Sequence, residues 1–161
     1  MWRELIALLR QIRDAYAKSI DIGKKKHHAL VGLDFQTLDA LNKQEETLTG
    51  EIRQLEEKRL QLMAKLSKEQ AGIEQDIKLS KLLAKLPTSP VRETLYALYA
   101  ELSENVKAAR QLSDDNRVLI RAAMTAVSYH LNRFGGARAD STYGRSGAEG
   151  GTQQQNLDFR A

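Results

Sequence analysis

With 161 residues, of which 42% are apolar and 29% charged, the chain has the length of one domain and the composition of a folded protein. It contains no cysteine, which excludes thiol catalysis, disulfides, cysteine-ligated zinc and iron–sulfur clusters and permits a reducing compartment. The formal net charge of +4 raises nucleic acid or an anionic surface as a partner, so the placement of that charge matters.

Helix-breaking residues are unevenly spread. Only four of the ten glycines precede Gly135, and the two prolines are Pro87 and Pro90. Long uninterrupted stretches with helical periodicity predict an all-α fold: an antiparallel helical hairpin, or coiled-coil-like bundle, of three long helices and one short one, with a flexible tail. The apolar run at the amino terminus reaches only from Leu5 to Leu9 before Arg10, so no signal-peptide core is expected and the predicted location is cytoplasmic. No stretch approaches the roughly 18 consecutive apolar residues of a membrane span.

The first helix is predicted over residues 2–31, with Leu5, Leu9, Ile12, Tyr16, Ser19, Gly23, Lys26 and Leu30 along one stripe. Gly32 is expected to stop it and Asp34 to cap the next helix, so the two must turn back on each other. The positive excess lies here, with 7 basic and 3 acidic residues in 1–31. Its one dense cluster, Lys24-Lys25-Lys26-His27-His28, consists of successive residues that diverge by about 100° each and form a collar rather than a stripe able to follow a phosphate backbone.

The second helix, about 35–68, carries a heptad seam of Leu38, Leu41, Glu45, Leu48, Ile52, Leu55, Arg59, Leu62 and Leu66, in which Glu45 and Arg59 are the polar interruptions expected to set register. A shorter stripe, Ile73, Ile77, Leu82, Leu83 and Leu86, predicts a third helix over 73–86, ended by Pro87. Ser89 is a cap and Pro90 a first-turn residue for a last helix over 90–134. That helix is longer than its neighbours, so its carboxyl-terminal end, with Leu119, Ala123, Met124, Val127, Leu131 and Phe134, is the surplus face expected to receive another chain's helix, or else to pack on the first or third helix. Residues 135–161 hold six glycines and no apolar period, and read as a flexible tail with Tyr143, Leu157 and Phe159 as isolated anchors.

No catalytic constellation appears, and no enzyme activity or cofactor is expected. The acidic pairs Glu45-Glu46, Glu56-Glu57 and Asp114-Asp115 diverge on helices. His27 and His28 diverge too, and His130 is remote in sequence, so no metal site is expected.

Four stretches carry a resemblance to a known family: Leu5-Ile6-Ala7-Leu8-Leu9; Lys24 to His28 leading into Leu33-Asp34-Phe35-Gln36-Thr37-Leu38; the heptad helix with Lys43-Gln44-Glu45-Glu46 and Glu56-Glu57-Lys58-Arg59; and Ser141-Thr142-Tyr143-Gly144-Arg145-Ser146-Gly147, with the chain ending Leu157-Asp158-Phe159-Arg160-Ala161. Together they resemble the FlgN family of cytoplasmic flagellar export chaperones. Family members commonly have Pro-Asp where this chain has Arg145-Ser146. The resemblance implies a non-catalytic role: binding the carboxyl-terminal helical region of the hook–filament junction proteins FlgK and FlgL, preventing their premature assembly, and delivering them to the export gate. It also implies that Tyr143, which matches a tail tyrosine of the family, docks to the export-gate protein FlhA. The chain is expected to be a monomer or weak homodimer. Two other readings stay open: a coiled-coil scaffold using the second-helix seam between chains, and a basic helical protein that binds nucleic acid through Lys24 to Lys26.

Overall fold

The structure, a computed structural model, describes residues 1–69 and 78–140, the last five of them as backbone only. It is all-α. Four helices follow one another, α1 (Trp2–Val31), α2 (Phe35–Glu69), α3 (Leu79–Lys85) and α4 (Pro90–Asp140), with no strand among the described residues. The chain divides into two compact units, Met1–Arg121 and Ala122–Ala161.

In the first unit α1 is the central element. Its buried face runs through Leu5, Leu9, Ile12, Ala15, Ile22, Gly23, Lys26, Ala29 and Leu30, a 3–4 spacing that puts all of them on one side of the helix. α2 returns antiparallel along it, with Leu41 and Leu48 clustered with Ala29, Ile22 and Ala15, and Met63 and Leu66 clustered with Leu5, Leu9 and Ile12. The heptad seam drifts along α2: at the far end Met63 is buried where Leu62 is only half-buried. A straight helix lags a seven-residue repeat by about 20° per heptad, so after three repeats residue 63 lies nearer the original face than residue 62.

The turn between α1 and α2 corrects one expectation. Gly32 is the C-cap, but in right-handed geometry (φ −82°), and the left-handed residue is Leu33 at φ 54°. Leu33 N–H donates to Leu30 O (3.3 Å) and Asp34 N–H to Ala29 O (2.9 Å), which closes the last turn of α1 in a Schellman pattern. Asp34 then accepts a hydrogen bond from Thr37 N–H (3.0 Å) and caps α2. Hydrogen bonds from Thr37, the hydroxyl first and the backbone N–H second, hold the Asp34 carboxyl below the usual aspartate range.

α3 is shorter than the 73–86 spacing predicts. Lys78 is extended (φ −63°, ψ 143°), so the helix begins at Leu79, and Ile73 and Ile77 lie outside the described residues. Leu86 is extended as well, because the ring of Pro87 disfavours helical geometry in the residue before it. Leu82 and Leu83 bury against Leu5, Leu9, Leu95 and Leu98. Ser89 caps α4 through its hydroxyl to Arg92 N–H (3.3 Å), and Arg92 Nε donates to Leu83 O (3.0 Å), satisfying a carbonyl near the end of α3.

α4 lies parallel to α1, since Leu95 and Leu98 meet the start of α1 while Leu112 and Asn116 meet Gly23. Gly23 permits a close approach there: a Cβ at that position would stand 2.7 Å from Leu112 Cδ2. α4 also runs past Phe134, through Gly135 and Gly136 to Asp140. A glycine in a helix costs only about 1 kcal/mol relative to alanine, and Ala137, Arg138 and Ala139 are strong helix formers. The remainder of the tail lies outside the described residues.

Candidate functional site

Two places in the structure combine residues that a hydrophobic core alone does not require. One is a polar layer in the first unit. Lys26, on the buried stripe of α1, is 8% exposed, and its Nζ is 2.5 Å from Glu45 Oε2 on α2. Asn116 on α4, 4% exposed, donates from Nδ2 to Gly23 O (2.9 Å), and its Oδ1 lies 3.2 Å from His27 Nδ1. Three helices are thereby tied at one level by groups that leave no buried side-chain polar atom without a partner among the described residues.

Beside this layer lies a cavity of about 490 Å³ lined by Tyr16, Lys26, Glu45, Thr49, Ser113 and Asn116 among others. Burial, and secondarily the charge of Glu56, raises the Tyr16 hydroxyl above its usual range. Glu45, the carboxylate in this lining, is already held by Lys26, so the cavity offers no carboxylate free to act as a general base. A second cavity of about 400 Å³ is lined by Leu9, Glu56, Arg59, Met63, Tyr99 and Leu102 among others. There Arg59 Nε bonds Glu56 Oε2 at 2.7 Å within α2. Glu45 therefore acts as the cross-helix register pair expected of a polar seam residue, whereas Arg59 pairs locally.

The other place is α4 in the second unit, where the expected binding residues fall. Ala123 is half-buried, and Met124, Val127, Leu131 and Phe134 are 65%, 52%, 65% and 70% exposed. Spacings of three, four and three place those four on one helical face. Leu119, in the first unit, is half-buried. Tyr143, Leu157 and Phe159 lie outside the described residues.

In the second unit α4 thus bears an exposed apolar face, a kind of surface that marks interaction sites. The family model described as "FlgN protein" matches residues 1–151. The chain belongs to the FlgN family. Comparison with curated proteins finds no match, and neither does comparison with solved structures. FlgN membership makes this a flagellar type III export chaperone, and the family is one of chaperones rather than enzymes.

Other features bear on the readings the sequence left open. The α2 seam that a scaffold would use between chains packs within the FlgN chain instead, with Leu41, Leu48 and Leu66 buried and its other leucines and Ile52 half-buried against the same clusters. Of the three successive lysines, Lys26 is buried against Glu45 and Lys25 pairs with Asp21 at 2.7 Å. His27 faces Asn116, and among the described residues no three metal-binding side chains cluster. No helix among the described residues is long and apolar enough to cross a membrane. Sequence reasoning missed the burial of Lys26 and the bridging role of Asn116. Lys26 already stood on the α1 stripe, and Asn116 falls between Leu112 and Leu119 at spacings of four and three, and a polar residue in such a stripe signals a buried partner.

Proposed function

We propose that this FlgN-family chaperone holds the carboxyl-terminal helical region of FlgK- and FlgL-like hook–filament junction proteins on the exposed face of α4. It does so in the cytoplasm, as a monomer or weak homodimer, and delivers the cargo to the export gate. The observation that supports the reading most is the run of four large apolar side chains, Met124, Val127, Leu131 and Phe134, each more than half exposed on one helical face. Such a stripe is stable in water only at a cost in exposed apolar surface, and an amphipathic helix laid along it removes that surface. Leu119 and Ala123, both half-buried, stand earlier on the same helix and are proposed to border the site.

The reaction is one of binding alone. A cargo end whose apolar face is covered by the chaperone has no surface left with which to assemble early, and its release requires only competition at the export gate. Tyr143 is proposed to dock to the export-gate protein FlhA, in keeping with its family motif. The test is calorimetry with a FlgK carboxyl-terminal peptide: Met124→Glu combined with Val127→Glu is expected to abolish binding while circular dichroism stays helical. Unchanged affinity in that variant would place the cargo elsewhere. For Tyr143→Ala, cargo affinity is expected to persist and affinity for the FlhA cytoplasmic domain to fall, and equal affinity for FlhA removes the docking role.

A further inference from the structure

In the second unit the exposed stripe of α4 differs in charge from the start of that helix. Residues 90–115 hold five carboxylates and three cations, whereas residues 122–135 hold one permanent charge, Arg133. At about 100° per residue, Arg133 lies roughly 140° round the helix from the middle of the face made by Met124, Val127, Leu131 and Phe134. By the same register the edges of that face are Ala123 and His130 on one side and Ser128 and Gly135 on the other, with no carboxylate, lysine or arginine among them. His130, the one titratable group of these edges, is exposed, with its ring edge-to-face against Tyr129 at 5.7 Å.

A seam edged in this way has no counter-charge to offer a charged partner helix and no fixed charge to repel its own copy. We propose that, in the absence of cargo, the stripe pairs antiparallel with the same stripe of a second copy of this chain, so that self-pairing and cargo binding exclude each other. The competition rests on the reading of the stripe as the cargo site; the pairing itself does not. A spacing of three, four and three reads the same in both directions. A two-fold axis at residue 129 therefore sets Met124 against Phe134 of the second copy and Val127 against Leu131 of the second copy, each pair occurring twice. The Met124 sulfur then meets an aromatic ring, and near the axis His130 faces its own counterpart along one edge and Ser128 its own along the other. An antiparallel pair also opposes the two helix dipoles, which a parallel pair would align. Four side chains from each copy, on the order of 100 Å² apiece, bury roughly 800 Å² together, below the roughly 1,200 Å² at which stable interfaces begin. The pair is accordingly weak and open to displacement by a cargo helix. A lipid surface is the poorer fit, because helices that lie on membranes carry a polar face rich in lysine and arginine, and here that face is Thr125, Tyr129, Asn132 and Arg133.

The experiment uses the full chain, which contains no cysteine, so that one introduced thiol reports one position. In analytical ultracentrifugation the average mass is expected to rise with concentration toward that of two chains, and to stay at one chain in Met124→Glu with Val127→Glu, whose circular dichroism stays helical. With a short bis-maleimide, His130→Cys is expected to link to itself, and Tyr129→Cys, on the opposite face of α4, is not. Met124→Cys and Phe134→Cys are each expected to link poorly alone and well when mixed. Adding the FlgK carboxyl-terminal peptide is expected to return the mass to one chain with one peptide. A dimer that persists in Met124→Glu with Val127→Glu, or Met124→Cys linking to itself as well as to Phe134→Cys, overturns the antiparallel pairing. A chain that is monomeric throughout yet binds the peptide overturns it too and leaves the cargo site standing; if removal of residues 141–161 then produces the dimer, the tail is the occupant. A dimer that the peptide neither binds nor dissociates supports the pairing and overturns the cargo site.

Discussion

The first unit holds its helices together differently at two levels. Around Leu5, Leu9 and Ile12 all four helices contribute, and Met63, Leu66, Leu82, Leu83, Leu95 and Leu98 close an apolar cluster around α1. About five to six turns of α1 separate Leu5 from the other level, at Gly23 to His27, where the contacts are an ion pair, two interactions of Asn116 and a glycine against Leu112. Apolar burial is strong and indifferent to register, because a leucine accepts many neighbours. A lysine–glutamate pair and an asparagine against one carbonyl are weaker but accept only one alignment. The division of labour is therefore energetic at one end and positional at the other.

That contrast can be broken from either side. Leu95→Ala removes a fully buried side chain from the apolar level and is expected to cost about 3 kcal/mol, read as a lower midpoint in urea with unchanged slope. At the polar level, Glu45→Ala leaves Lys26 buried without its partner. The expected loss is about 1–2 kcal/mol, below that of a fully buried pair because the Glu45 side chain is 37% exposed. The double change Lys26→Met with Glu45→Leu should return most of that stability, and a broadened set of amide resonances would then report the lost alignment. If the double variant is as unstable as Glu45→Ala, the pair supplies energy rather than register. Leu33→Gly, at the turn, is expected to raise stability by about 1 kcal/mol in the same urea assay, since glycine takes positive φ without steric cost.

The smallest effect is that of the Asp34 cap. Its carboxyl is held below the usual aspartate range in the folded chain, so the unfolded chain takes up the proton first as pH falls. The contribution is complete above about pH 4, declines below it, and is gone once the pH has passed the lower folded value. Wild type and Asp34→Ala should consequently converge in Tm on acidification, and parallel curves down to acid pH would show that the cap is not the source.

Much of this architecture is legible in the spacing of leucines, because a 3–4 repeat specifies which face of a helix is apolar. It does not specify what covers that face. The stripe that ends in Leu98 and the one that ends in Phe134 have the same periodicity, yet Leu95 and Leu98 are buried and Leu131 and Phe134 are exposed. Nor does periodicity distinguish a parallel from an antiparallel α4, a choice visible only once Gly23 is seen against Leu112. Position within a seam also under-determines a polar residue's partner: Glu45 reaches across to α1, while Arg59 finds Glu56 three residues earlier on its own helix. At the turn, Gly32 and Leu33 exchange the roles that residue type alone suggests, because the hydrogen bonds to Ala29 and Leu30 are satisfied one residue later.

The parallel placement of α4 on α1 has a kinetic consequence. The Lys26–Glu45 contact closes a loop of 19 residues, whereas Asn116 reaches Gly23 across 93. Loop-closure entropy grows with this separation, so the hairpin is expected to assemble first and α4 to dock on it afterwards. Substitutions at the Lys26–Glu45 pair should accordingly slow folding, while those at Asn116 should chiefly hasten unfolding. During synthesis the ribosome releases the hairpin before the last helix, so the part of α4 that carries Leu95, Leu112 and Asn116 meets an α1–α2 pair that is already built.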